Sequence, residues 1–112
     1  MRTTTRGRQA ETAVAEVLRG RGFEILDQNW RTPRCEIDII ARKNNVVYFV
    51  EVKYRSNESQ GDGLGYITYR KLQQLYFAAR VWLQQNNWEG DYRLLAASVS
   101  GDFEIQKIVE LD

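Results

Sequence analysis

Cys35-Glu36-Ile37-Asp38-Ile39-Ile40-Ala41-Arg42-Lys43-Asn44-Asn45-Val46-Val47-Tyr48-Phe49-Val50-Glu51-Val52-Lys53-Tyr54 is the stretch on which the fold of this chain turns. Two runs rich in Ile, Val, Tyr and Phe, Glu36 to Arg42 and Val46 to Tyr54, have the composition of strands. Asn44-Asn45 between them tolerates the positive φ angles of a tight hairpin turn. A two-residue loop there sets Asp38 opposite Glu51, Ile40 opposite Phe49 and Glu36 opposite Lys53, with all six on one face. A four-residue loop keeps that register, whereas a three-residue loop moves Asp38 off its partner.

Two carboxylates directly opposed on a sheet have Cβ atoms about 4.5–5.5 Å apart and repel each other. Glu51 and Lys53 also alternate with Val47 and Phe49, on an otherwise apolar face where an ionised side chain is costly unless paired or bound to metal. A divalent cation removes both costs. Carboxylate and backbone carbonyl oxygens are hard ligands suited to Mg²⁺ or Mn²⁺, which makes Asp38, Glu51 and the Val52 carbonyl candidate metal ligands. Lys53, on the same face, is placed to orient or deprotonate a metal-bound water, or to neutralise charge on a phosphate. The competing reading is a structural ion pair in which Lys53 neutralises Glu51 and Glu36.

Working outward, Ala10, Val14, Val17 and Leu18 recur at helical spacing, predicting a first helix over Gln9 to Arg19 that Gly20 and Gly22 stop. Glu11 stands at the edge of that apolar stripe. From there it can reach a metal over the sheet, or it is simply an exposed glutamate favoured by the helix dipole. Residues 1–8 are polar and Arg-rich and are expected to form a flexible basic arm. Phe23 to Trp30 reads as a strand, followed by the corner Arg31-Thr32-Pro33-Arg34. Residues 56–66, with Gln60-Gly61-Asp62-Gly63-Leu64-Gly65, are expected to be a mobile loop. Thr68 is a candidate N-cap for a second helix to about Asn86, whose apolar stripe runs through Leu72, Leu75, Tyr76, Ala79, Trp82 and Leu83. Asp91 to Ser100 and Phe103 to Val109 complete the strands. Trp82 belongs to the core, and Trp30 and Trp88 have no assigned place. The order is α-β-β-β-α-β-β, an α/β (α+β) domain spanning residues 1–112 with a central mixed sheet of about five strands flanked by helices.

The chain has 112 residues, 43% hydrophobic and 28% charged, enough for one core and one domain. Cys35 is the single cysteine, which excludes an intramolecular disulfide and a cysteine-rich zinc cluster. The absence of histidine removes Ser-His and Cys-His hydrolase triads and histidine general bases together. Hydrolytic chemistry must therefore rest on carboxylates, lysine and a hard cation. No apolar run approaches the roughly 20 residues that span a bilayer, and Met1 to Arg8 lacks a signal-peptide apolar stretch, so the expectation is a cytoplasmic protein with no membrane partner.

Net charge is +1, yet residues 1–80 hold 14 Lys and Arg against 9 Asp and Glu, whereas residues 81–112 hold 2 against 6. The basic part contains the candidate site, which suggests a nucleic-acid face. Arg31, Arg34, Arg42, Lys43, Arg55, Arg70 and Lys71 surround it, with Tyr54, Tyr66 and Tyr69 interleaved. Arg34, Arg55, Arg70 and Lys71 are the candidate phosphate contacts, Arg55 and Lys71 foremost because they flank the Gly-rich loop.

Cys35-Glu36-Ile37-Asp38-Ile39-Ile40-Ala41 and Val50-Glu51-Val52-Lys53-Tyr54-Arg55 resemble the motifs of the bacterial YraN-like family, whose fold is similar to that of restriction endonucleases and Holliday junction resolvases. The resemblance covers nearly the whole length. It implies a restriction-endonuclease-like core in which Asp38 and Glu51 bind the metal, Lys53 assists catalysis and Glu11 contributes a further carboxylate. Asn29 and Arg31 in Asn29-Trp30-Arg31 match the same pattern. Cys35 and Ala10 stand where that pattern has glycine. The expectation is a Mg²⁺- or Mn²⁺-dependent endonuclease hydrolysing phosphodiester bonds in DNA, including branched DNA, with a homodimer by analogy to resolvases on symmetric substrates. The alternatives are a nucleic-acid-binding module without turnover and a protein-interaction domain with an ion-pair network.

Overall fold

Asn44 and Asn45 adopt φ angles of 53° and 62°, and this turn joins β2 (Glu36–Lys43) to β3 (Val46–Tyr54). Positive φ at both central residues matches the right-handed twist of the flanking strands. The antiparallel register runs from Lys43↔Val46 through Ile40↔Phe49 to Ile39↔Val50, as the two-residue loop requires.

The computed structural model describes residues 5–55 and 67–111. Around the hairpin lie α1 (Thr5–Gly20), β1 (Glu24–Arg31), α2 (Tyr69–Gln85), β4 (Asp91–Val99) and β5 (Ile105–Leu111), in the expected order. The sheet order is β1-β2-β3-β4-β5. β1, β2 and β3 form an antiparallel meander; α2 then carries the chain back so that β4 runs parallel to β3, and β5 returns antiparallel. The sheet is mixed for that reason.

Helix α1 begins at Thr5, so residues 5–8 of the expected arm are helical. The buried Ala10 needs a carbonyl four residues upstream to accept its N–H, which extends the helix through Arg6-Gly7-Arg8. Residues 1–4, and the loop expected over 56–66, lie outside the described residues. Thr68 caps α2 as expected, its Oγ1 accepting from Lys71 N at 3.1 Å. The last strand starts at Ile105 rather than Phe103, because Phe103 (φ 61°) belongs to the turn in which its N–H donates to the Ser100 carbonyl at 2.9 Å.

Each face of the sheet has its own core. Ala10, Val14, Ala15 and Leu18 of α1 close on Ile39, Ala41, Val50, Ala97 and Val99. Leu75, Ala78, Ala79 and Trp82 of α2 close on Ile37, Ile40, Val47, Phe49 and Leu94. Phe49 is the centre of the second core, with edge-on rings of Trp82 at 5.7 Å and Tyr92 at 6.0 Å. Among the described residues no helix is long and apolar enough to cross a membrane.

Of the two unassigned tryptophans, Trp30 packs against the α2-side core. Trp88 donates its indole N–H to the Asp91 carbonyl at 2.9 Å and carries the Arg42 guanidinium 4.7 Å from its ring centre. A Cβ added at Gly90 would stand 2.9 Å from Trp88 Cζ2. With the ring pinned from two sides, Gly90→Ala is expected to cost about 1–3 kcal/mol. The measurement is a urea midpoint, and one equal to wild type would show that the ring gives way freely.

Candidate active site

Pairing of β2 with β3 stops at Ile39↔Val50. Beyond it β2 follows β1, through Trp30↔Ile37 and Arg31↔Glu36, while β3 follows β4, through Glu51↔Ala96 to Tyr54↔Val99. The hairpin splits, and Asp38 stands at the fork. Its Oδ2 accepts the Val52 N–H at 2.8 Å, so a side chain takes the place of a ladder carbonyl.

The split changes two expectations. Ile37 packs into the α2-side core and Ile39 into the α1-side core, so strict alternation breaks at Asp38 and the six residues do not share one face. Next to it in β1, between residues paired with Ile39 and Ile37, Asn29 has φ 55°, a left-handed backbone that goes with the change of face. Glu36 lies opposite Arg31 rather than Lys53, and the Arg31 Nε is 3.2 Å from Glu36 Oε2.

Three carboxylates come from three elements into this region: Glu11 from α1, Asp38 from β2 and Glu51 from β3, exposed by only 5%, 8% and 9%. The helix-edge position of Glu11 therefore points inward, against the reading of an exposed helical glutamate. Its Oε1 is buried with no hydrogen-bond partner. Burial pushes its carboxyl above the usual range and the charge of Glu36 reinforces the shift, against the lowering influence of the neighbouring Asn29 and Asp38 side chains. Asp38 is pushed up to about 9, first by burial and then by the charge of Glu51, against the lowering effect of the Val52 N–H; Glu11 and Glu36 raise it further. In the absence of a cation, Asp38 therefore holds a proton at neutral pH.

A cation already stands beside Glu51, since the Lys71 Nζ is 3.2 Å from Glu51 Oε2. Burial works against the Lys71 charge, but the charge and hydrogen bond of Glu51, with Cys35 and Asp38 behind, hold the ammonium above the usual lysine value. Lys53 is exposed on β3 two residues past Glu51.

Among the described residues no three His, Cys, Asp or Glu side chains converge as an enclosed metal cage. Mg²⁺ asks for less: it keeps several waters and takes one or two carboxylates, with substrate phosphate completing the shell. The donor chemistry here fits such an ion. It offers two acidic groups in proximity and a buried Glu11 oxygen with no hydrogen-bond partner, with the Cys35 thiol and the Lys71 ammonium nearby.

The candidate phosphate contacts separate on folding. Lys71 is drawn into the acid cluster and Arg70 beside it is exposed. Arg34 lies over the Phe77 ring at 5.5 Å, on α2. Arg55 is buried at 4% exposure, with its backbone N–H donating to the Val99 carbonyl at 2.8 Å. Arg42 and Lys43 lie over Trp88 and Phe23, where the chain leaves β2 for the hairpin turn. Sequence reasoning missed the Lys71–Glu51 contact, whose only signal was a lysine in the first turn of a helix following the Glu-Val-Lys strand.

A family model described as uncharacterised protein family UPF0102 matches residues 10–103, which include every acidic residue of the cluster and both lysines. A UPF0102 protein of Vibrio campbellii is 39% identical over 90 residues, 78% of this chain and 74% of the relative. One from Sulfurihydrogenibium is 33% identical with both chains covered in full, 100% of each. One from Pseudomonas fluorescens is 41% identical over 81 residues, 72% of this chain and 68% of the relative.

Proposed function

This chain belongs to the uncharacterised protein family UPF0102, and from that premise we propose that it is a Mg²⁺- or Mn²⁺-dependent endonuclease of the cytoplasm, hydrolysing phosphodiester bonds in DNA, branched DNA included. The observation that carries the reading is the buried Asp38–Glu51 pair at the split of the hairpin. An acid pushed up to about 9 in a pocket of further carboxylates is unfavourable for stability alone and is typical of functional sites.

Asp38 and Glu51 would hold the ion, with the Val52 carbonyl and Glu11 as further oxygens. Bound there, it would acidify a water and neutralise charge on the scissile phosphate. The chain's own residues do the rest. Asp38 is fixed by the Val52 N–H, so its free oxygen has one orientation. Glu11 supplies a further buried carboxylate on the α1 side. Lys53, exposed at the site's solvent side, orients the attacking water and offsets the negative charge that grows on the phosphate. Arg34, Arg70 and Lys71 steer the backbone of the nucleic acid.

Lys53→Ala tests the assignment. Cleavage of a panel of labelled linear and branched DNAs in Mn²⁺ is expected to fall by about 10²–10³-fold. Because Lys53 is exposed, the unfolding midpoint should stay within about 0.5 kcal/mol of wild type. Undiminished cleavage would remove Lys53 from the chemistry. The second reading, a nucleic-acid-binding module without turnover, is favoured by the Lys71–Glu51 pair, which balances Glu51 without any metal. It predicts salt-sensitive binding that chelation leaves unchanged. A homodimer would match a two-fold symmetric branched substrate, and light scattering with and without that DNA reads it directly.

A further inference from the structure

Lys71 touches the acid cluster from outside the sheet that builds it. It is the third residue of α2, its backbone N–H is already taken by the Thr68 cap, and its ammonium reaches Glu51. The two ends of this pair differ: the Lys71 side chain is 31% exposed and the Glu51 side chain 10%. The carboxylate is held in place by the strand, while the ammonium sits on a flexible four-carbon stem with a path to solvent. A divalent cation at Glu51 meets that ammonium as a like charge at close range.

We infer that Lys71 is an internal counter-cation of the acid cluster, released from Glu51 when a divalent cation binds, and that the released ammonium then contacts the nucleic-acid phosphate. This rests on the metal-dependent reading proposed above. Two observations support the exchange. The first turn of α2 has no acidic residue to recapture the ammonium. Arg70 is exposed beside it, and Arg34 lies against Phe77 two turns along the same helix, so the freed charge joins a basic edge. Metal loading and phosphate binding become coupled through one side chain, each favouring the other.

The coupling has a signature that a packing role does not share: removing the ammonium changes two affinities in opposite directions. Mn²⁺ is titrated calorimetrically into wild type, Asp38→Asn, Lys71→Met and Lys71→Arg, and the same proteins are titrated in Ca²⁺ against a labelled branched DNA. Lys71→Met is expected to bind Mn²⁺ about tenfold tighter and DNA about three- to tenfold more weakly. Lys71→Arg keeps the charge and should stay near wild type in both. Equal Mn²⁺ affinity of Lys71→Met and wild type, with binding still lost in Asp38→Asn, overturns the counter-cation and leaves the metal site standing. DNA affinity unchanged in Lys71→Met overturns the phosphate half. Mn²⁺ bound by none of the proteins overturns the metal-dependent reading and this inference with it.

Discussion

In chelator-treated protein, Asp38→Asn is expected to raise stability and flatten its dependence on pH, while in Mn²⁺ the same change abolishes metal binding and cuts cleavage by about 10²–10³-fold. The opposite signs follow from one proton. Folded Asp38 has its carboxyl pushed up to about 9, by burial first and the charge of Glu51 second. In the unfolded chain it ionises near about 3.9. Between those values the folded state holds a proton that the unfolded state has released, so stability from this group is fully present at low pH and is lost as pH rises toward 9. The limit is about 1.36 kcal/mol per pH unit across that window, and a few kcal/mol at pH 7 is the order expected. Glu11, raised as well, adds a slope of the same sign.

The amide of the variant keeps an acceptor for the Val52 N–H and carries no charge to desolvate. Thermal unfolding at pH 5, 7 and 9 in a chelator reads the effect. A variant slope as steep as wild type would assign the pH dependence to other groups. Mn²⁺ affinity of the wild type should strengthen over the same range, because the ion competes with the Asp38 proton.

Phe49→Ala is expected to be the most damaging single change to the fold, at about 3–5 kcal/mol. Phe49 is 2% exposed and holds Trp82 and Tyr92 on its edges, so the cavity cannot collapse without moving α2 or β4. Against a total of about 5–15 kcal/mol for a domain, that loss leaves a sizeable unfolded fraction on mild warming. Leu26→Ala is the control: at 36% exposure on β1, its urea midpoint should stay close to wild type. A Phe49→Ala midpoint within 1 kcal/mol of wild type, roughly the typical point-mutant cost, would mean that the α2-side core is not built around this ring.

Elements whose signal is local were legible in the chain. The hairpin register follows from two asparagines that accept positive φ, and the helices from a period that tertiary contacts reinforced rather than overrode. Asp38 and Glu51 stood out as charged residues in apolar strand runs that the hairpin register sets opposite each other, and Glu11 as a carboxylate at the edge of a helical apolar stripe. These buried acids bear on the chemistry, and they could be named from the sequence.

The partners of those charges were not legible, because each depends on strand pairings far along the chain. β2 stays with β1 and β3 with β4, more than 40 residues on, along their full lengths, while β2 and β3 part after Ile39↔Val50. That split moves Glu36 to Arg31, gives the Val52 N–H to Asp38 and buries Arg55 beside Val99. Lys71 reaches Glu51 only because α2 lies over the α2-side core at the depth its buried Ala78, Ala79 and Leu75 permit. The sequence by itself determined the order of elements, the turn and the acidic residues, through local backbone preference and periodicity; the tertiary structure decided which charge meets which, since that is set by long-range strand pairing and helix packing.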